Sequence, residues 1–304
     1  MKYEAKPVFF YDPASSTPQI REAMELFLKS WLPKHSSIDE LKLYHYTTLK
    51  GLEGIINSRS IWLTHVSTLN DPSELKYGEE IILNLLDEVR GEERDENILQ
   101  LIKYLSEFVK SFNAATFQTY VACFCEEENL LSQWRAYGAR GGGYNLGFRF
   151  GSTTKFYHSL DEEKNSHVIL RKIIYDLDEQ RKLISNYISS IIKSTNKAII
   201  HFKETTGIPD AWSTIAATEA VNILLDLKLS FKNPVFAEEK EWRLIKGRQA
   251  DYKPEQLMFR ESNDGFIPYL KSYIYMRKRK EGKYFQLVRL NLDPHSMKEE
   301  QNQV

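Results

Sequence analysis

The chain has 304 residues, a formal net charge of −1, and 42% hydrophobic and 27% charged residues. Those proportions describe a globular protein with ample material for a core, and they give no global case for attraction to nucleic acid or membrane, only for local patches. No apolar run approaches membrane-spanning length, the opening Met1-Lys2-Tyr3-Glu4 lacks a signal-peptide pattern, and the two cysteines, Cys123 and Cys125, point to a reducing cytoplasm and to buried thiols.

Residues 1–40 read as a leader broken by Pro7, Pro13 and Pro18, with one short amphipathic helix from Ile20 to Leu32. Tyr44-His45-Tyr46 then reads as a strand, being aromatic and β-favouring. Thr47 and Thr48 are helix-capping types, and Leu49, Leu52, Ile55 and Ile56 follow at helical spacing up to Asn57-Ser58. Ile61-Trp62-Leu63-Thr64 is predicted as a second strand. His45 thus stands at a strand-to-helix edge, where it either meets a ligand or caps a neighbouring carbonyl.

Asn70-Asp71-Pro72-Ser73-Glu74 is predicted as a helix start, with Asp71 the N-cap, Pro72 the first helical residue and Glu74 the returning carboxylate of a capping box. Only Asn70 has no local task. Ile81, Ile82, Leu85, Leu86 and Val89 form that helix's apolar stripe, and Ile98, Leu101, Ile102, Leu105 and Phe108 that of the next. Thr119 to Cys125 reads as a buried strand. Leu131 to Gly138 reads as a helical turn with Trp134 and Tyr137 on one face, as core aromatics or as a stacking platform. Gly141-Gly142-Gly143 has neither dinucleotide nor phosphate-loop spacing.

Strands are expected at 144–150 and 168–175, then two helices at 178–205 and 209–231, then strands at 239–246, 258–260, 266–270 and 285–292. In the strand reading of 239–246, Glu239, Glu241 and Arg243 share one face while Trp242 and Leu244 enter the core. The charged face is either solvated or a site. The histidines outside the opening unit show no metal-ligand spacing, so no metal is expected. Arg277-Lys278-Arg279-Lys280 reads as a basic hairpin tip. The whole reads as one α+β domain over 41–304, with a helical insertion at about 176–231.

In this order, His45-Tyr46-Thr47, Trp62-Leu63-Thr64, Asn70-Asp71-Pro72-x-Glu74, Cys123-Phe124-Cys125, Trp134-x-x-Tyr137-Gly138 and Glu239-x-Glu241-Trp242-Arg243 resemble a mostly bacterial family. It is catalogued as domain of unknown function 2971, and the resemblance covers roughly residues 41–270. The family's usual Ser-x-x-Pro-Tyr/Phe-Arg ending is missing after Leu292, and the long helical region looks expanded.

The family's motif layout is similar to that of ADP-ribosyltransferases. That resemblance implies a mixed or antiparallel central sheet with flanking helices, and NAD as the substrate. It also implies an NAD-cleaving enzyme of a bacterial stress or phage-defence system. His45 would bind the dinucleotide, and Glu241 would stabilise the oxocarbenium-like charge on the ribose. Glu239 would accept a proton from an attacking nucleophile. Thr64 or nearby Ser67 would take the middle position. Tyr46, Trp62 or Tyr137 would stack on nicotinamide, Arg135 or Arg243 would neutralise pyrophosphate, and Thr47 and Asn70 would line the site. His45 and Glu241 are expected to open into one pocket. The acceptor stays open among protein, nucleic acid, small molecule and water. The rival readings are a non-enzymatic nucleotide-sensing module and a nucleic-acid-processing protein.

Overall fold

The computed structural model describes residues 41–69, 73–111, 119–137, 143–150, 154–157, 168–205, 220–221, 223–246, 257–262, 265–277, 283–285 and 289–292. The leader, Asn70, Asp71, Pro72, the glycine triplet up to Gly142 and the tetrad residues 278–280 lie outside them. Strand β1 (Leu41–Thr47) opens the fold, followed by helix α1 (Leu49–Ser58) and β2 (Ile61–His65). Thr48 caps α1 by accepting from the Gly51 amide at 3.3 Å, and Arg59 ends it in the left-handed conformation, φ 49°. Removing the cap in Thr48→Ala should cost about 1 kcal/mol, measured by denaturant unfolding.

Helices α2 (Ser73–Glu92) and α3 (Glu96–Ser111) come next. Asp95 starts α3, its carboxylate accepting from the Asn97 and Ile98 amides at 2.8 and 3.3 Å. Beyond them lie β3 (Tyr120–Cys125), the short helix α4 (Leu131–Tyr137), β4 (Tyr144–Phe150), β5 (Thr154–Tyr157), β6 (Val168–Lys172) and α5 (Leu177–Thr205). A helical run at 223–230 leads through a 3-10 turn (Pro234–Glu239) into β7 (Glu241–Lys246). The last strands are β8 (Met258–Ser262), β9 (Gly265–Arg277), β10 (Lys283–Phe285) and β11 (Arg289–Leu292). The expected α+β class is what forms.

Each ladder among these strands is antiparallel, and the sheet branches at β3. One edge of β3 pairs with β7 along its whole length, from Tyr120↔Lys246 to Cys125↔Glu241, and β7 pairs onward with β6. The other edge is shared. β2 takes its start (Thr64↔Val121, His65↔Tyr120) and β1 takes its end (Tyr44↔Cys125). β2 continues the sheet to β9, and β1 continues it to β4 and β11. The two arms diverge around Cys123, leaving a fork.

Alternation along the strands sorts side chains to two cores. Leu43, Leu63, Phe124, Phe148, Trp242 and Leu244 pack together under Leu52 and Ile55 of α1. On the opposite face Val121 and Ile245 meet Ile82, Leu86, Leu101, Ile102, Ile184, Leu224 and Leu227 from the helices. Gly78 of α2 allows a close helix approach, because a Cβ there would lie 2.7 Å from the Lys228 carbonyl oxygen. Trp242 and Leu244 are core residues, as the alternation predicts.

Candidate functional site

Two polar centres lie against β3. The first surrounds Arg243, which is 1% exposed. Its Nε and Nη2 donate to the two Glu241 oxygens at 2.6 and 3.0 Å, Nη2 also donates to Glu74, and Nη1 donates to the Leu229 carbonyl at 3.2 Å. Lys232 closes the ring, with Nζ 2.8 Å from Glu74, 3.2 Å from Glu241 and 2.5 Å from Glu239. Burial pushes the Glu241 carboxyl up, but Arg243 and Lys232 outweigh it and hold the pKa at about 2. The Glu241 amide donates to the Tyr175 hydroxyl at 3.0 Å. Burial, and then the Glu241 charge, pushes the Cys123 thiol up. Beside this centre an open cavity of about 300 Å³ is lined by Ser73, Glu74, Tyr77, Lys232 and Phe236, among others.

One expectation is extended and one corrected here. The capping bond expected between Glu74 and Asp71 lies outside the described residues; the Glu74 carboxylate turns inward to Arg243 and Lys232. Glu239 is not on the strand face of Glu241, because Pro234–Glu239 forms the 3-10 turn and Lys240 reverses the chain at φ 43°. Glu239 reaches the cluster through Lys232 instead.

The second centre is the fork. Dividing one strand edge between two partners leaves the Cys123 carbonyl without a ladder donor, and His45 fills that place, with Nδ1 2.8 Å from the oxygen. A carbonyl only accepts, so Nδ1 carries the proton and Nε2 keeps its lone pair. Burial, offset in part by the Cys123 bond, and the charge of Arg260 hold His45 below its usual pKa and therefore neutral at pH 7. From the other arm Arg260 donates through Nη2 to Thr64 Oγ1 at 3.1 Å, and its guanidinium lies 5.8 Å from the Trp62 ring centroid. Tyr269 stacks on Trp62 at 4.6 Å and 25°, and a Cβ on Gly54 would overlap the same indole.

The expected meeting of His45 and Glu241 in one pocket does not occur. Tyr44 pairs with Cys125 and Cys125 with Glu241, so these three share a face; His45, one residue along, belongs to the other. His45 packs on Phe124 at 5.6 Å between centroids, consistent with that face. Thr64 pairs with Val121 and so stands on the face of Glu241, not of His45; Thr64 and Trp62 are brought together by Arg260, whose charge reaches His45. Glu241, Glu239 and Arg243 are brought together in the first centre, and Arg243 is saturated by carboxylates rather than offered to a pyrophosphate.

The remaining candidates are dispersed. Tyr46 is buried, edge-on to Trp134 at 4.8 Å, and its hydroxyl donates to the Glu127 carbonyl and accepts from the Leu130 amide. It pins the 126–130 loop and presents no free ring face to a ligand. Tyr137 packs against that same small cluster, and burial and the Glu241 and Glu239 charges push its hydroxyl pKa up. Arg135 is exposed on α4, and Thr47 closes β1 against α1 near Gly51. Arg260 had no place in the sequence reading. Its one local signal is a charge inside a short strand, and its partner Thr64 is 196 residues away.

Residues 133–244 match the family model described as "Protein of unknown function (DUF2971)". The match runs from α4 to β7, so the DUF2971 segment holds Trp134, Tyr137 and the Glu239–Glu241–Arg243 motif, and the resemblance read from the sequence is borne out over that stretch. No curated protein and no solved structure matches the chain. Among the described residues no helix is long and apolar enough to cross a membrane, and no group of three or more His, Cys, Asp or Glu side chains is placed to hold a metal.

Proposed function

We propose that this protein binds an NAD-class nucleotide in the fork of its sheet, with His45 as the ribose contact, and acts as a nucleotide-responsive binding module. The observation that carries this reading is a neutral imidazole in the gap, with one nitrogen held by the Cys123 carbonyl and the other left as an acceptor. An oriented acceptor of that kind suits a sugar hydroxyl. The preference for NAD comes from the resemblance to ADP-ribosyltransferases, whose first-strand histidine takes the dinucleotide. That likeness of fold is part of the proposal.

Binding is favoured over cleavage because of Glu241. A carboxylate that stabilises an oxocarbenium-like ribose must face the sugar with its charge available. Glu241 is 5% exposed, paired with Arg243 and Lys232, and on the face opposite His45. The test is calorimetric titration of the purified protein with NAD, beside a chromatographic assay for released nicotinamide. Saturable binding without release, weakened about tenfold or more in His45→Ala, supports the reading; tenfold is ~1.4 kcal/mol. Nicotinamide release by the wild type that disappears in a folded Glu241→Gln protein overturns it in favour of the transferase. Absence of NAD binding overturns both.

A further inference from the structure

Arg260 is a half-buried cation with no carboxylate beside it among the described residues. Four more deeply placed cations have carboxylates: Arg171 with Asp226, Lys228 with Glu79, Lys232 with Glu74 and Glu241, and Arg243 with Glu74 and Glu241. Among the described residues, Arg260 donates only to the Thr64 hydroxyl. Its Nε is sealed from solvent without a hydrogen-bond partner. Leaving a guanidinium partly desolvated and unpaired is costly, and an arriving anion offsets that cost.

The surroundings hold the group in one pose. The Trp62 ring lies beneath the guanidinium, Tyr269 backs the indole, and the Trp62 Nε1 donates to Ser58 Oγ at 3.3 Å. A cation over an aromatic face gains attraction without losing its in-plane donors. Thr64 accepts from Arg260, so its own hydroxyl proton remains to be donated. Arg260 and Thr64 therefore offer a planar guanidinium edge and one hydroxyl donor, and the Arg260 charge reaches His45. Planar guanidinium edges match the oxygen spacing of phosphate.

We propose that Arg260 and Thr64 form the phosphate subsite of the fork, so that the ligand is selected for its phosphate or pyrophosphate and not only for its nucleoside. This rests on the nucleotide reading above and assigns its anionic half to residues on β8 and β2. Arg260 would lie against the bridging phosphates while His45 meets the sugar.

The experiment titrates the wild type and Arg260→Gln with NAD, inorganic pyrophosphate and nicotinamide riboside, which lacks phosphate. It is run at low and high salt, with melting temperatures alongside. For the wild type, NAD and pyrophosphate should compete, and binding of both should weaken with salt. Arg260→Gln should lose tenfold or more in NAD affinity and all pyrophosphate competition, with nicotinamide riboside unchanged. If the glutamine variant does not fold, Arg260→Lys replaces it. Lysine keeps the charge but not the planar edge, and should weaken NAD measurably while retaining the salt dependence. Undiminished NAD binding by a folded variant overturns the inference and leaves the nucleotide reading intact. Pyrophosphate binding lost in Arg260→Gln, with no NAD binding by the wild type, does the reverse.

Discussion

Arg243→Met should lower the unfolding free energy by about 3–5 kcal/mol, because it leaves Lys232 alone to balance the buried carboxylates of Glu74 and Glu241. Methionine fills a similar volume, so the loss reports charge and not a cavity. Urea unfolding of the purified variant measures it. Adding Glu241→Met to the same chain should recover a large part of the loss, since a buried pair replaced as a whole costs far less than one partner left alone. A loss below about 1 kcal/mol in Arg243→Met would mean that water reaches the cluster and solvates it. The same substitution leaves the fork chemistry untouched, so in protein that remains folded NAD binding should persist.

Acid should unfold the protein in a way that Glu241 controls. Its folded pKa is about 2, below the ordinary value of 4.5. Its contribution is therefore complete above pH 4.5 and is lost as the pH falls toward 2, on the order of 2–4 kcal/mol. His45 works at a higher window. Its folded pKa is depressed below 6.5, so the unfolded chain takes up that proton first and stability begins to fall below pH 6.5. Wild-type stability against pH should show both slopes. The Glu241→Gln curve should start lower at neutral pH and lack the slope below 4.5; an unchanged acid limb would show that Glu241 is not ionised in the fold.

The sequence made the local structure legible wherever one element carried its own signal. The alternation of Trp242 and Leu244 revealed the core face of β7, and Thr48 at the edge of β1 revealed the start of α1. The turn before β7 was legible too, in Asn233 capping Val235 and in Pro234 at the first position of the 3-10 turn, but the run of charges from Glu238 to Glu241 reads more simply as strand. What stayed hidden depends on pairing across long stretches of chain. Glu74 looks like a capping residue because the Arg243 that claims it is 169 residues away. No periodicity announces that β3 will give one edge to two strands, so neither the fork nor the opposed faces of His45 and Glu241 could be deduced from the motifs. A motif list records which residues matter together, not which side of a sheet each occupies.

Cys123 is where the two centres touch. Its carbonyl receives His45 at one edge of the strand, while its thiol lies beside Glu241 on the helix-packed face. One residue thus serves as a party wall between the fork and the ionic cluster. β3 is also laddered on both edges, so it cannot fray to release one tenant alone. Loosening at Cys123 frees the imidazole and opens the carboxylate–guanidinium ring in the same event. The strand, and not the buried charges themselves, thereby sets how firmly the histidine in the fork keeps its orientation.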